Sequence, residues 1–382
     1  MKKIYWFIQR VKHMGGAERV TVDIVNKLST FRDICLIVVG EEHKDYPLDV
    51  SPNVEVKYLN IPYQYTNLDE HVGFLKKQHK HIKASLDFLK GVTYWFFRKG
   101  KFKKLISSMT TKDDILIFSS YDNYLMAPKD RRCLFHFHFN ASFFFGIMAT
   151  TGRWWHRRPD KYIFLTETTK DVVEKKRKAY KDSYMVYNPI RFPRKENNEY
   201  YNNELLFLAR YAKQKNPMLA VKVMKELKDM NCKCHLSMYG NGFLLKDITK
   251  YVDDNNLSDY VTINPETKDA LSKIRESDML LLTSVFEGLP LVIIEANSQS
   301  VPVISSNWGD AAKEVVVDGE NGYMIDSFDP KAYALKIKEV FDDKEKLMEL
   351  KKKSFISSQR FSDEAIIAKW KEILEKEDNI NM

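Results

Sequence analysis

A chain of 382 residues with 44% hydrophobic and 30% charged side chains describes an ordinary globular protein, long enough for two domains at about 150 residues each. Its net charge of +9 points to an anionic partner, whether nucleotide phosphate, an acidic membrane surface or nucleic acid, while no apolar run reaches the roughly 18 residues that span a bilayer. Four scattered cysteines, Cys35, Cys133, Cys232 and Cys234, exclude a disulfide scaffold, and no His/Cys set has zinc spacing; the chain reads as reduced and cytoplasmic, without a structural metal.

The opening MKKIYWFIQR has too short an apolar segment and no cleavage pattern for a signal peptide, and residues 3–8 read as a buried strand. A loop with Gly15 and Gly16 follows, and then Ala17, Val20, Ile24, Val25 and Leu28 fall on one helical face. The end of a strand leading into a helix is where open α/β sheets bind ligands. No G-x-G-x-x-G fingerprint is present, and a tight loop needing positive φ is the alternative for the two glycines. A second strand is expected over 34–39, and 46–65 reads as irregular. Between Lys76 and Lys104 lies a long basic stretch interrupted by Tyr94-Trp95-Phe96-Phe97. It fits an interfacial segment on an anionic leaflet, or a solvated helix whose aromatics enter the core; no nucleic-acid module accompanies it.

Further strands are expected over 115–119 and 134–137. The second ends in His136-Phe137-His138, whose alternation puts both histidines on one face. A core histidine is the competing reading for either. The runs 143–148 and Trp154-Trp155 supply apolar surface that could cover a cleft or touch lipid. A strand at 162–165, a helix from Glu167 to about Tyr180, and the turn signal Asn188-Pro189-Ile190 lead to a polar linker over 194–203. The pattern then restarts: a strand at 204–209, a loop carrying Arg210, Lys213 and Lys215, and a helix opened by Pro217. Arg210 and Lys215 are placed to neutralise two phosphates, with exposed loop cations as the alternative. Cys232-Lys233-Cys234 should alternate along a strand, with thiols on opposite sides. A strand over 235–239 ends in the partial glycine loop Gly240-Asn241-Gly242, and 261–263 forms another strand.

The chain is organised around 279–326. An apolar strand, Met279 to Leu282, precedes Glu287-Gly288-Leu289-Pro290, and Pro290 suits the first position of a helix running to Ser298. Gly288 lets backbone approach a ligand, and the free N–H groups of the helix start favour a diphosphate. Glu295 lies in an otherwise apolar segment and needs donors, such as the vicinal hydroxyls of a ribose. The plainer alternative has Glu287 solvated and Glu295 paired with a nearby Lys or Arg. Helices at 330–341 and 344–352 and an amphipathic helix carrying Ile366, Ile367, Trp370, Ile373 and Leu374 end the chain.

The E-x7-E spacing in FEGLPLVIIEA, followed by VPVISSNWGDAAKEVVVDGENGYMI, resembles the retaining glycosyltransferases of family 4, and the resemblance covers most of the chain. It implies an α/β chain of GT-B architecture: an acceptor-side Rossmann-like domain over 1–188, a nucleotide-sugar-binding one over 189–360, and a terminal helix over 361–382 crossing back. It implies that Gly15 and Gly16 approach donor and acceptor, and that His138, rather than His136, lies beside the transferred sugar. Arg210 and Lys215 (or Lys213) would hold the diphosphate with the helix start Gly288-Leu289-Pro290-Leu291, through the N–H groups of Gly288, Leu289 and Leu291, and the Gly240 loop would lie near the nucleotide. Glu295 would hold the ribose, and Glu287 would orient the donor sugar. The implied partners are a nucleotide-sugar, with uridine the family-weighted base, and a glycan or lipid-linked glycan acceptor of envelope polysaccharide synthesis, at the inner face of the membrane. Neither a metal nor nucleic acid is implied. The rivals are a GT-B epimerase or phosphorylase, and a non-catalytic basic membrane or nucleic-acid binder.

Overall fold

The computed structural model describes residues 2–9, 16–41, 49–61, 97–138, 141, 144–145, 160–176, 180–196, 201–309 and 311–381. Among the described residues, two wholly parallel sheets carry the chain. The first orders its seven strands β3-β2-β1-β4-β5-β6-β7: β1 (Ile4–Ile8), β2 (Ile34–Val38), β3 (Glu55–Tyr58), β4 (Ile115–Phe118), β5 (Arg132–Phe137), β6 (Lys161–Phe164) and β7 (Tyr184–Met185). The second orders six strands β10-β9-β8-β11-β12-β13: β8 (Glu204–Leu208), β9 (His235–Tyr239), β10 (Val261–Asn264), β11 (Met279–Leu282), β12 (Val303–Ser306) and β13 (Gly322–Ile325). β1, β2, β4, β11 and β12 are buried at every position. That is the signature of parallel strands covered on both faces, and it explains their uninterrupted apolar runs.

In each sheet the strand order reverses beside the first strand, between β1 and β4 and between β8 and β11. Ligands of open α/β sheets bind beyond the carboxyl ends of strands at such a reversal. The loops after β8 and β11 therefore adjoin at the second domain's switch point. The helix Asp363–Asp378 returns to the first domain and buries Ile366, Trp370, Ile373 and Leu374 in its core, with the Trp370 ring 5.0 Å from that of Trp6. Its end is tied down by ion pairs. Arg132 Nε lies 2.6 Å from Glu377 Oε2, and Arg32 Nη1 lies 2.6 Å from Asp378 Oδ2.

Several local expectations are corrected. β3 lies inside the stretch read as irregular; it is an edge strand, with Glu55 exposed and the next three residues half-buried, so it carries no apolar run. Cys232 and Cys234 precede β9 instead of belonging to it. The chain turns there, Cys234 N donating to Cys232 O at 3.1 Å. Pro290 is the N-cap, with ψ extended at 111°, and the helix proper is Leu291–Asn297. Phe144 of the expected apolar surface is buried against Phe137, Tyr162 and Phe164; Trp154 and Trp155 lie outside the described residues. Of the basic stretch, 97–109 is described and is helical. Arg98 is buried there, donating to Gln9 Oε1 at 3.3 Å, and Phe102 and Ile106 join the core, while Phe97, Lys101, Lys103 and Lys104 are exposed. Among the described residues no helix is long and apolar enough to cross a membrane.

Candidate active site

The loops that follow β8 and β11 are joined side by side. Thr283, fully buried at the end of β11, donates its hydroxyl to Lys215 O and Asn216 O, both at 2.9 Å. Two residues on, Val285 N donates to Gln214 O at 2.8 Å, and Gln214 Nε2 donates to Phe286 O at 3.0 Å. Asn216 takes a left-handed conformation (φ 47°), which Asn tolerates better than most residues, and this turns the chain into the helix Pro217–Asp229. The consequence is chemical. Lys215 Nζ meets Glu287 Oε1 at 2.5 Å, the two side chains 19% and 8% exposed. Glu287 is thus a buried, paired carboxylate and not a solvated loop acid, while Lys213 is exposed and outside this pairing. Arg210, one loop position after β8 and Ala209, is exposed and makes no ion pair among the described residues. Its guanidinium is open to an anion.

The glycine loop after β9 supports this arrangement from the other side. A Cβ on Gly240 would lie 2.0 Å from Ala209 O, and one on Gly242 would lie 2.4 Å from Tyr211 O. Tyr211 N donates to Asn241 O at 2.8 Å. Both glycines are needed for the loop to press against the backbone that carries Arg210. That packing role accounts for the partial motif without a phosphate contact.

Gly288, Leu289 and Pro290 lead into Leu291–Asn297, whose first side chain reaches the other domain. Leu291 Cδ1 stands 3.8 Å from where a Cβ on Gly16 would be, so the helices beginning at Gly16 and at Leu291 start beside each other across the cleft. Gly15 lies outside the described residues. One turn into the second of these helices, Glu295 is 8% exposed, and its carboxylate has no hydrogen bond or ion pair among the described residues. Burial raises its pKa to about 7; the charge of Arg191 opposes the rise, Asp23 adds to it and Arg19 opposes it. Asp23 is pushed up by burial in the same way. Neither arginine pairs with Glu295, so its carboxylate still lacks donors.

On the first domain, His138 follows β5 and keeps part of its surface, although its Nε2 is buried and unpartnered among the described residues. Burial lowers its pKa to about 4, so the ring is neutral near pH 7. His136 is wholly buried between Trp6 and Trp370, at ring distances of 5.7 and 5.6 Å, and cannot touch a ligand. Among the described residues, no three His, Cys, Asp or Glu side chains gather as metal ligands would.

Sequence reasoning missed Thr283 and Gln214, which zip the two loops, and Arg19, Asp23 and Arg191, whose charges act on Glu295. Hydrogen bonds between separate βα units leave no local periodicity. The charged side chains converge only once both domains have folded.

Residues 190–355 match the family model described as glycosyl transferases group 1. A Haemophilus influenzae protein named an uncharacterized glycosyltransferase is 26% identical over 98% of this chain and 100% of its own length. The Campylobacter jejuni GalNAc-alpha-(1->4)-GalNAc-alpha-(1->3)-diNAcBac-PP-undecaprenol alpha-1,4-N-acetyl-D-galactosaminyltransferase is 22% identical, covering 88% of each chain. The solved structure of a variant of S. aureus TarM, in complex with fondaparinux, alpha-GlcNAc-glycerol and UDP, superposes with a TM-score of 0.74 at 12% identity, over 99% of this chain and 100% of that one. The two doubly wound parallel-sheet domains have the GT-B fold of solved glycosyltransferases, and the second of them carries the match to the glycosyl transferases group 1 model.

Proposed function

We propose that the chain is a retaining glycosyltransferase that moves a sugar from a UDP-sugar to a hydroxyl of a glycan or lipid-linked glycan acceptor in envelope polysaccharide synthesis. The observation that carries the reading is the meeting of Lys215 and Glu287 at the switch point of the second sheet, in the loop that also holds the exposed Arg210. The UDP in the TarM structure supports a uridine donor, and the undecaprenol-linked substrate named for the Campylobacter relative supports a lipid-linked acceptor.

In this reading the diphosphate lies between Arg210, Lys215 and the N–H groups at the start of Leu291–Asn297. Charge grows on the departing phosphate as the anomeric C–O bond breaks, and preorganised cations and dipoles stabilise it without a metal. When the donor binds, Lys215 exchanges part of its pairing with Glu287 for phosphate, which frees the Glu287 carboxylate to take hydroxyls of the sugar. Neutral His138 offers a hydrogen bond from the acceptor side. The acceptor oxygen attacks the face that the phosphate leaves, and its proton passes to the leaving phosphate oxygen, so configuration is retained. The exposed Phe97, Lys101, Lys103 and Lys104 would rest on an anionic leaflet at the inner face of the membrane. Flotation with anionic vesicles at low salt tests that contact.

Proton NMR of products from a panel of UDP-sugars and envelope acceptors tests the reaction. An α-linked product from an α-linked donor is expected; an inverted product, or a released or epimerised sugar in place of a glycoside, would contradict it. Glu295 supplies a second test. With a pKa of about 7 its carboxyl is about half protonated at pH 7, and hydrogen bonds from ribose hydroxyls favour the charged form, so UDP binding releases about half a proton there. Calorimetry in buffers of different ionisation enthalpy should show this release in the wild type and its loss in Glu295→Gln. Equal proton release in both would remove Glu295 from the ribose.

A further inference from the structure

Glu314 belongs to the AAKEVV run that follows β12, and nothing in the donor site uses it. Its carboxylate points away from the second domain into the first. Oε1 accepts from Glu167 N at 2.9 Å and from the Tyr187 hydroxyl at 2.6 Å, and Oε2 accepts from Thr168 N at 2.7 Å. Glu167 and Thr168 open the helix Glu167–Lys176, which follows β6 of the first sheet. The first N–H groups of a helix have no partner within it and favour an anion. Thr166 satisfies one from inside the domain, its Oγ1 accepting from Thr169 N at 3.2 Å. The other two are satisfied only when the second domain supplies Glu314.

Burial works to raise the Glu314 pKa, but the bonds from Tyr187, Thr168 and Glu167 together outweigh it and hold the carboxyl below its ordinary range. Tyr187 lies where the two segments that pass between the domains touch. Its ring is 4.9 Å from Phe361, Ile190 N donates to Phe361 O at 3.0 Å, and Arg360 Nη2 donates to Val315 O at 3.2 Å, next to Glu314 itself. A rotation of one domain about these crossings draws Glu314 off the helix end, and bonds of this length do not survive a stretch past about 3.5 Å.

We infer that Glu314 is an interdomain latch: it caps a helix of the first domain from the second and holds the cleft in its closed arrangement, so that its release accompanies opening. It is a positioning residue and touches no substrate in this account. Its effect on turnover rests on the donor reading above; its effect on shape does not.

The test compares the wild type with Glu314→Ala and with Tyr187→Phe, which keeps the ring packing and deletes one donor. Small-angle scattering of the UDP-free protein should show an expanded population in Glu314→Ala, smaller in Tyr187→Phe, and a return to the compact form with saturating UDP. The donor KM should rise about tenfold in Glu314→Ala and less in Tyr187→Phe, with kcat within about twofold of the wild type, because only the closed fraction binds donor fully. Scattering identical to the wild type in both variants would overturn the latch. So would an expanded Glu314→Ala protein with an unchanged donor KM. Should Glu314→Ala fail to fold, Tyr187→Phe carries the same two readouts. If the wild type itself binds no UDP, the donor reading fails, and scattering of the UDP-free variants still decides the latch.

Discussion

Arg210→Ala lowers kcat by about 10²- to 10³-fold, the usual cost of removing one preorganised donor to developing charge, and leaves stability nearly unchanged. Arg210 is exposed and unpaired among the described residues, so its loss strands no partner. Lys215→Ala costs a similar factor in kcat and also destabilises the fold. Its removal leaves Glu287, 8% exposed, as a buried carboxylate without its counter-charge. Stranding one member of a fully buried pair costs about 3–5 kcal/mol; with Lys215 19% exposed, about 2 kcal/mol is the better expectation. Steady-state kinetics together with urea unfolding separates the two variants. Equal stability losses, or a kcat within threefold of the wild type for Arg210→Ala, would contradict the assignment of their roles.

The largest effect on stability belongs to Lys351→Ala. Lys351 Nζ lies 2.6 Å from Asp278 Oδ1, the side chains 1% and 0% exposed. The other oxygen, Oδ2, accepts from Asn202 N at 2.8 Å and Glu204 N at 3.1 Å, so this one carboxylate holds the start of β8 against β11. Removing the lysine leaves an uncompensated charge in the core and costs about 3–5 kcal/mol. The double change Asp278→Asn with Lys351→Met removes both charges and should recover most of that loss, because a buried ion pair is weak evidence of net stabilisation. Urea midpoints measure both. A loss under about 1 kcal/mol for Lys351→Ala would show that solvent reaches the pair.

The strands at the centres of both sheets were legible because burial on two faces demands unbroken apolar runs, as in Met279–Leu282. Glu55–Tyr58 was not legible, because an edge strand with one charged, exposed end has no such run. Arg210 and Glu287 could be singled out because each sits in a local strand-to-helix turn, and Glu295 because it is a lone carboxylate in an apolar helical segment. Their mutual arrangement could not be read: Lys215 and Glu287 are 72 positions apart and meet only through the Thr283 and Gln214 hydrogen bonds. Glu314 was hidden for the same reason. It caps Thr168 from 146 positions away, and a cap supplied by another domain leaves no mark beside the helix it completes. The Cys232–Cys234 turn shows the opposite case, because strand alternation begins only at His235, one step after Cys234.

In the proposed mechanism a nucleoside diphosphate binds between Arg210, Lys215 and Glu295. Calorimetric titration of UDP at pH 7 with EDTA present, into the wild type, Arg210→Ala and Glu295→Gln, tests it most directly. One site is expected in the wild type, unaffected by EDTA, with affinity at least about tenfold weaker in each variant, as for loss of a charged hydrogen-bond partner. A wild type that binds no UDP, or three proteins that bind it equally, would contradict it.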